Sequence, residues 1–204
     1  KLYEYSNLSS SNKKAKIIND SALENLKTQT FSYKPRYETT GHSEDLCNLL
    51  VKDLENQFKT RGLHELTLKS GARVMLVKNL DVYGGLVNGS LGIIKKIVNR
   101  IPFVKFDNGV EAFIEPQNWA LEIDGCIASA KQIPLILSYA ITIHKIQSQT
   151  LETAILDLAD CFCEHQVYTA LSRLKTLEGL YLRSFNPKKI MVNKVMLDYL
   201  EGLE

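Results

Sequence analysis

The hydrophobic and polar positions follow a helical period through the first third of the chain. In the segment 9–29, apolar residues return every three or four positions after a run of serines that can cap a helix, and the segment 43–58 repeats the pattern with one apolar stripe. Such a stripe is typical of a helix that packs one face against a core. The pattern predicts two amphipathic helices, with a short strand at 2–8 before them and an irregular segment, 31–43, between them.

The middle of the chain changes to short runs in which apolar and polar residues alternate. The clearest example, at 101–115, has one alternating run on each side of Asp107, Asn108 and Gly109. Those three residues are typical of a tight hairpin turn. Residues 89–131 therefore predict a compact all-β insert of about five short strands, the size of an SH3-like barrel.

Beyond residue 131, predicted strands alternate with predicted helices. A buried strand is predicted at 134–142, further strands at 153–159 and 179–185, and helices at 164–174 and 193–203. This alternation indicates a mainly parallel sheet with helices on both faces. We therefore predict an α/β fold in which residues 1–88 and 132–204 form one discontinuous domain and the β insert forms a second, smaller one.

The composition says little about the fold, but the net charge limits how the chain could bind nucleic acid. Of the 204 residues, 45% are apolar and 24% are charged, which is ordinary for a globular protein. Because the formal net charge is +2, nucleic-acid binding has to rest on local basic clusters and not on an overall positive field. Such clusters occur at Lys13, Lys14 and Lys16, at Lys95 and Lys96, and at Lys188 and Lys189. Each cluster alone is most often a solvated face.

The cysteines indicate the cellular compartment of the protein, and the first residues indicate whether the chain is a fragment. Four irregularly spaced cysteines do not form the pattern of a disulfide scaffold and favour a reducing, intracellular compartment, whether nuclear, mitochondrial, cytoplasmic or a viral factory. No apolar run approaches the ~18 residues of a membrane span, and no membrane partner is expected. The opening residues, KLYEYSNL, resemble the interior of a longer protein, so we expect the chain to be a fragment.

The first candidate site is the polar stretch HKIQSQT (144–150), which follows a predicted buried strand. Ligands of open α/β sheets bind beyond the carboxyl ends of the strands. The stretch is therefore either a solvated loop or a clamp on single-stranded nucleic acid. In the second interpretation Lys145 neutralises a phosphate and His144 contacts a sugar or a base.

The second candidate is Arg173, near the end of the predicted helix 164–174. One interpretation is that Arg173 is a cation that interacts favourably with the negative, carboxyl end of the helix dipole. The other is an arginine finger, which stabilises the negative charge that develops during phosphoryl transfer. No GxxxxGK[ST] phosphate loop occurs in the sequence, so an arginine finger here would serve ATP bound by another part of a longer protein.

The stretch CFCEH (161–165) raises the question of a metal site. Cys161 and Cys163 are one residue apart, and no second ligand pair stands at zinc-like spacing. Free cysteines more often behave as small buried hydrophobes. No metal site is predicted.

Several of these stretches together resemble one family. SSSNKKAKIIN, LKSGARVMLVKNLD, GLVNGSLGIIKKI, QIPLILSYAITIHKIQSQTLE and YTALSRLKTLEGLYL are similar, in this order, to segments of the PIF family of DNA helicases. That family belongs to superfamily 1, in the branch that moves 5′ to 3′ and is related to RecD. The similarity extends over roughly residues 8–200, and it is most specific in GARVMLVKNLD, TIHK and ALSR.

The resemblance implies a fold, a function and a set of residues. The discontinuous domain would be the second RecA-like domain of the helicase, and 89–131 its SH3-like insert. The implied nucleic-acid contacts are Ser11, Asn12, Asn79, Asn88, Thr142, His144 and Lys145. Gln147 and Arg173 would approach ATP, with Arg173 as the catalytic arginine.

The same resemblance implies cofactors and partners. ATP and Mg²⁺ would be held mainly by an N-terminal RecA-like domain outside this chain, and the chain alone would not hydrolyse ATP. The partners would be that domain, single-stranded DNA and DNA junctions, and a monomer is expected. Replication, repair and recombination are all compatible roles.

The sequence also departs from the family pattern. Ile146 and Ser148 stand where the family has Ser and Gly, and Ser11 stands where Thr is usual. Two alternatives stay open on the sequence alone: a non-motor module that binds nucleic acid or docks a partner, and a RecD-like subunit of a nuclease complex. Upstream residues would discriminate, because phosphate-loop and acidic motifs there indicate a motor.

Overall fold

A computed structural model describes residues 6–146, 150–191 and 193–202 of the chain. The chain divides into two compact units. The first, Lys1–Glu24 with Ser138–Glu204, contains a parallel sheet and is called the parallel-sheet unit. The second, Asn25–Leu137, contains antiparallel sheets and is called the antiparallel-sheet unit.

The elements have the following bounds. The helices are α1 (Asn12–Glu24), α2 (Glu44–Arg61), α3 (Gln166–Leu171) and α4 (Lys194–Glu201), with 3₁₀ turns at Ile143–Ile146, Leu177–Gly179 and Pro187–Lys189. The strands are β1 (Ser6–Ser9), β2 (Thr30–Tyr33), β3 (Arg36–Thr40), β4 (Leu66–Lys69), β5 (Arg73–Leu76), β6 (Leu91–Val98) and β7 (Ile101–Phe106). They continue with β8 (Glu111–Phe113), β9 (Gln117–Ile123), β10 (Cys126–Gln132), β11 (Leu135–Leu137), β12 (Ala140–Thr142), β13 (Ala154–Asp157) and β14 (Leu180–Ser184).

The parallel-sheet unit is built on the sheet β12-β1-β13-β14, in which every pairing is parallel. Ser9 at the end of β1 is opposite Thr142 on one side and Asp157 on the other, and Asp157 is opposite Ser184. The carboxyl ends of all four strands therefore meet at one edge of the sheet. The predicted α/β fold with a mainly parallel sheet is confirmed.

Helix α1 both covers the sheet and protects its edge. Ala15 and Ala22 of α1 are buried, as is Leu8 at the centre of β1. The Asn19 side chain donates to the carbonyl of Ala140 (2.8 Å) and accepts from its amide (2.9 Å). The Asn19 amide thus satisfies the outer backbone groups of Ala140 in the edge strand β12, which would otherwise be open to pairing with another strand.

The antiparallel-sheet unit contains the sheets β11-β5-β6-β7-β8, β3-β10-β9 and β2-β4. Its long helix α2 starts where Ser43 Oγ accepts from the amide of Leu46 (3.4 Å), an N-cap bond that satisfies one of the helix's first free amides. The buried stripe Leu50, Leu54 and Phe58 faces the core. The Phe58 ring meets the edge of Trp119 at a centroid distance of 5.2 Å.

The predicted hairpin at Asp107–Gly109 is present. The amide of Gly109 donates to the carbonyl of Phe106 (3.0 Å), and β7 and β8 pair on either side of the turn. The predicted insert, 89–131, covers β6 to β9 and all but the last residue of β10, within the longer unit Asn25–Leu137. Its boundaries stay a prediction.

Two sequence predictions of secondary structure were wrong. The segment 31–43, expected to be irregular, contains most of β2 and all of β3, which pair with the distant strands β4 and β10. The segment 134–142, expected to be one buried strand, holds β11, which pairs antiparallel with β5, and β12, which pairs parallel with β1. Its unbroken apolar run reflects burial in two different sheets.

Candidate functional site

The carboxyl edge of the parallel sheet carries a row of polar side chains. Thr142, Ser9, Asp157 and Ser184 end the four strands in that spatial order. Ser9 and Thr142 are buried, with 1% and 5% of their surface exposed, and Asp157 and Ser184 are half-buried. In open α/β sheets this edge is where ligands bind.

The amino end of α1 lies directly beyond this edge. Ser9 ends β1, α1 begins at Asn12, and Ser11 Oγ accepts from the amide of Lys14 (3.4 Å). Ser11 is half-buried and Asn12 is exposed. The first amides of a helix lack intrahelical acceptors, and the helix dipole adds positive potential there, so this end of α1 has the properties of a phosphate-binding position. The predicted contacts Ser11 and Asn12 both lie at it.

A charge cluster joins α1 to β13 at the same edge. Lys14 Nζ lies 3.3 Å from Asp157 Oδ2 and is also paired with Asp160. The hydrogen bond to Asp160 raises the pKa of Lys14, and the same bond lowers the pKa of Asp160. Ser184 Oγ donates to Asp157 Oδ1 and accepts from the amide of Ala159 (3.2 Å). Lys14 thus offsets one of the two carboxylate charges at the edge, and the other remains to repel an anion.

The TIHK stretch forms the end of β12 and the 3₁₀ turn Ile143–Ile146, which packs next to α3. Thr142 is buried, His144 is exposed and Lys145 is half-buried. Burial lowers the pKa of Lys145. The turn therefore presents the imidazole of His144 to solvent one residue before a partly desolvated ammonium group.

Ile146 is fully buried, with 0% of its surface exposed. An isoleucine at this position anchors the turn in the core, which a serine could not do without burying a hydroxyl. The departure from the family pattern at Ile146 thus has a packing reason. Gln147 and Ser148 lie outside the described residues.

Arg173 lies two residues beyond the end of α3 and is half-buried. Its Nε donates to the carbonyl of Thr169 (3.1 Å), and its terminal nitrogen donates to Ser172 Oγ (3.0 Å). The backbone of Arg173 is fixed by a bond from the amide of Leu151 (2.7 Å). In this arrangement the guanidinium binds the Thr169 carbonyl near the end of α3, and the arginine-finger role stays a prediction.

Sequence reasoning missed a buried glutamine that ties α3 to the amino end of α1. Gln166 has 3% of its surface exposed; its Nε2 donates to the carbonyl of Ser10 (3.3 Å), and its Oε1 accepts from the amide of Phe162 (3.0 Å). A glutamine at the start of a predicted helix is ordinarily a surface residue. Nothing in the local pattern therefore indicates that it is buried. Lys14 and Asp157 were likewise not singled out as parts of the site.

The remaining predicted contacts, Asn79 and Asn88, lie in the antiparallel-sheet unit. Both are exposed, and Asn79 Oδ1 accepts from the amide of Asn88 (2.7 Å). This bond closes the loop between β5 and β6, inside which Asp81 and Leu86 form an isolated antiparallel bridge. The structure therefore brings Asn79 and Asn88 together, and their contact with nucleic acid stays a prediction.

Neither a metal cluster nor a membrane-spanning helix occurs in the part of the chain that the structure describes. No group of three His, Cys, Asp or Glu side chains there is arranged to hold an ion. Cys161 is buried and Cys163 is half-buried, and burial raises the pKa of the Cys161 thiol. No helix within the same ranges is long and apolar enough to cross a membrane.

Comparisons with known proteins agree with this geometry. Residues 53–97 match the family described as the 2B domain of the DNA helicase Pif1. The chain is 36% identical over 192 residues to the ATP-dependent DNA helicase PIF1 of Xenopus laevis, covering 92% of this chain and 29% of that protein.

Solved structures show the same relationship. The Pif1 helicase of Candida albicans superposes with a TM-score of 0.81 at 28% identity, over 98% of this chain and 50% of that one. Pif1 of Bacteroides in complex with ADP-AlF3 and single-stranded DNA superposes with a TM-score of 0.68 at 29% identity, over 98% of this chain and 45% of that one.

The parallel sheet, with polar groups and a helix start at its carboxyl edge, defines an α/β domain of the ligand-binding, open-sheet class. Within that class, the chain belongs to the Pif1 family of DNA helicases. It spans less than a third of the Xenopus relative and half of the Candida one.

Proposed function

We propose that this chain is part of an ATP-dependent DNA helicase that moves 5′ to 3′ and supplies its second RecA-like domain. In this proposal the RecA-like domain comprises residues 1–88 and 132–204, with 89–131 as an SH3-like insert. The observation that carries the proposal is the convergence of Ser11, Thr142 and His144 on the carboxyl edge of one parallel sheet.

The DNA track is proposed to run along that edge. The amino end of α1, with Ser11 and Asn12, contacts one backbone phosphate through amides and a hydroxyl. His144 and Lys145 contact a neighbouring nucleotide, and Thr142 holds the turn that presents them. Asn79 and Asn88, in the antiparallel-sheet unit, are proposed as further contacts to nucleic acid. The single-stranded DNA bound by the Bacteroides relative supports this choice of ligand.

ATP and Mg²⁺ are proposed to be held mainly by another domain of the longer protein, because this sequence has no phosphate loop. Bound ATP supplies the phosphoryl group whose transfer to water drives the motor. Arg173 fits as the residue contributed from this side, since it is a permanently charged, half-buried group at a helix end. To act on ATP, its guanidinium exchanges its present bonds to Thr169 and Ser172 for the phosphate oxygens. Gln147 approaches the same cleft, and the chain alone does not hydrolyse ATP.

The deciding experiment is Arg173→Ala in the longer protein, assayed for DNA-stimulated ATP hydrolysis and, separately, for single-strand binding. We expect hydrolysis to fall by ~10³-fold or more, as for other arginine fingers, with single-strand affinity almost unchanged. Lys175→Ala is the matched control, because Lys175 is an exposed cation two residues away, paired with Glu152. Near-normal hydrolysis by Arg173→Ala would show that the residue merely ends its helix.

A further inference from the structure

The antiparallel-sheet unit exposes a sheet face with an unusual composition. In β6, β7 and β8, Ile93 is opposite Lys105, and Phe103 is opposite both Lys96 and Phe113. Directly paired residues of an antiparallel sheet lie on the same face. These side chains therefore form one continuous surface.

The opposite face of the same strands supplies the core. Ile94, Val104 and Phe106 are buried there, with at most 1% of their surface exposed. On the outer face, by contrast, 50% of Phe113 and 37% of Ile93 remain exposed. Phe113 and Ile93 thus contribute little to the core of the unit, whereas Phe103, which is paired with Phe113, is half-buried. Contiguous apolar surface of this kind marks a site of contact with another molecule.

Aromatic rings and ammonium groups alternate on this outer face. The rings of Phe103 and Phe113 are 4.7 Å apart at an angle of 51°, and Lys96 Nζ lies 5.4 Å from the Phe103 centroid. Lys95 is exposed beside them, where the register between β6 and β7 shifts. Lys105 Nζ is 3.5 Å from Glu111 Oε1. We call Lys95, Lys96, Phe103, Lys105 and Phe113 the aromatic-lysine platform.

Charge favours a polyanion on this platform. The segment 91–113 contains four cations, Lys95, Lys96, Arg100 and Lys105, and two carboxylates, Asp107 and Glu111. Its net charge of +2 therefore equals that of the whole 204-residue chain. Of these groups, Glu111 is paired with Lys105 and Asp107 with Arg73, which leaves both carboxylates offset by cations.

We propose that the aromatic-lysine platform is a second binding site for single-stranded nucleic acid, separate from the edge of the parallel sheet. Bases stack on Phe103 and Phe113, and Lys95 and Lys96 contact the phosphates on either side. Aromatic faces combined with neighbouring cations are the chemistry by which single strands are bound without sequence preference. A folded protein partner would need a larger apolar centre with fewer lysines.

The platform is tested by substitutions that keep its apolar bulk. In the longer protein, Phe103→Leu with Phe113→Leu removes both rings but leaves aliphatic side chains, so the fold is expected to survive. The substitutions are made in the His144→Ala, Lys145→Ala background, in which the first site is weakened. Binding of a short fluorescein-labelled oligothymidine is then measured by anisotropy over a salt series, together with the unfolding temperature. We expect about fivefold weaker binding or more, because the bases lose their stacking partners, with the unfolding temperature unchanged.

A second pair of substitutions tests the lysines. Lys95→Gln with Lys96→Gln is expected to reduce the slope of log affinity against log salt by about 1.4, at ~0.7 for each single-strand phosphate contact. Tyr199→Leu and Lys52→Gln are matched controls, since both residues are exposed and lie outside the platform.

Two results would overturn the proposal. One is that both double variants bind the oligonucleotide with unchanged affinity and unchanged salt slope. This result would overturn the proposal even if the variants bound another protein less tightly. The other is a lower unfolding temperature with unchanged affinity, which would make the rings packing residues only. This test does not depend on the proposed role of Arg173, because it measures DNA binding and not ATP hydrolysis. The platform variants should hydrolyse ATP in the absence of DNA at the same rate as the parent protein, whatever the role of Arg173.

Discussion

The two proposed nucleic-acid surfaces, one on each unit of this chain, differ in kind. At the edge of the parallel sheet, the candidate groups are strand ends and a helix start, which buried side chains such as Ser9 and Gln166 hold in place. On the antiparallel-sheet unit, the candidate groups are side chains on one face of a sheet, among them the exposed Phe113 and the half-buried Phe103. Backbone geometry defines the first surface, and residue type defines the second.

This difference determines how each surface should respond to substitution. A site made of strand ends and helix amides depends on the packing that holds those ends in register, so distant packing changes should damage it. A site made of exposed side chains loses affinity in proportion to the groups removed and leaves the fold intact. The predictions below test that contrast, beginning with the largest expected effect.

Glycine-to-alanine substitutions compare the packing of the two units directly. At Gly179, just before β14, an added Cβ would collide with the carbonyl oxygen of Glu152, which is backbone. At Gly92, in β6, it would lie 2.6 Å from the carbonyl oxygen of Lys105. We expect Gly179→Ala to lower the free energy of unfolding by about 3 kcal/mol or more and Gly92→Ala by about 1–3 kcal/mol, measured by urea unfolding.

The control for this comparison is Gly202→Ala. An added Cβ there would be 3.5 Å from the carbonyl of Asp198, an ordinary contact, so stability should be unchanged. Gly179→Ala should also reduce single-strand affinity, because Gly179 supports the strand that carries Ser184 to the site edge. A variant as stable as the parent chain would show that β14 can shift without cost.

The double substitution His144→Ala with Lys145→Ala tests the predicted DNA contacts at the edge of the parallel sheet. We expect weaker single-strand binding and a salt slope smaller by ~0.7, the value for removing a single phosphate contact. The fold should be retained, since His144 is exposed and Lys145 is half-buried. The measurement is anisotropy with a labelled oligothymidine across a salt series, with the exposed Lys27→Ala as the control. An unchanged slope would remove Lys145 from the DNA track.

Much of the fold could be predicted because many helices and turns are determined by residues that are close together in the sequence. The stripe on α2 and the Asp107–Gly109 turn are determined by neighbours within a few residues, and both were predicted. Strands β2 and β3 were not, because their partners β4 and β10 are distant in sequence and their own residues are mostly exposed. A strand of that kind has no alternating apolar signal to read.

The residues of the candidate site likewise fall into two groups, those that could be predicted from the sequence and those that depend on distant contacts. His144 could be placed beyond a strand end because it follows the apolar run 134–142, whereas Ser11 and Thr142 were implied by the resemblance to the PIF family. Gln166 could not be, since its importance comes from Ser10, which is 156 positions away in the chain. Nor does spacing reveal that Lys14 meets both Asp157 and Asp160. Pairings of this kind depend on the register of the folded sheet.

The Lys14–Asp160 pair provides the smallest and most specific test. The hydrogen bond from Lys14 lowers the pKa of Asp160 below its ordinary value of 3.8. A carboxylate whose pKa is lower in the folded state stabilises the fold above 3.8, and this contribution disappears as the pH falls through the lowered value. Asp160→Asn should therefore be slightly less stable than the parent chain at neutral pH and equally stable at strongly acidic pH. Urea midpoints at the two pH values measure this, and because the pair is solvent-exposed the difference should also shrink in high salt.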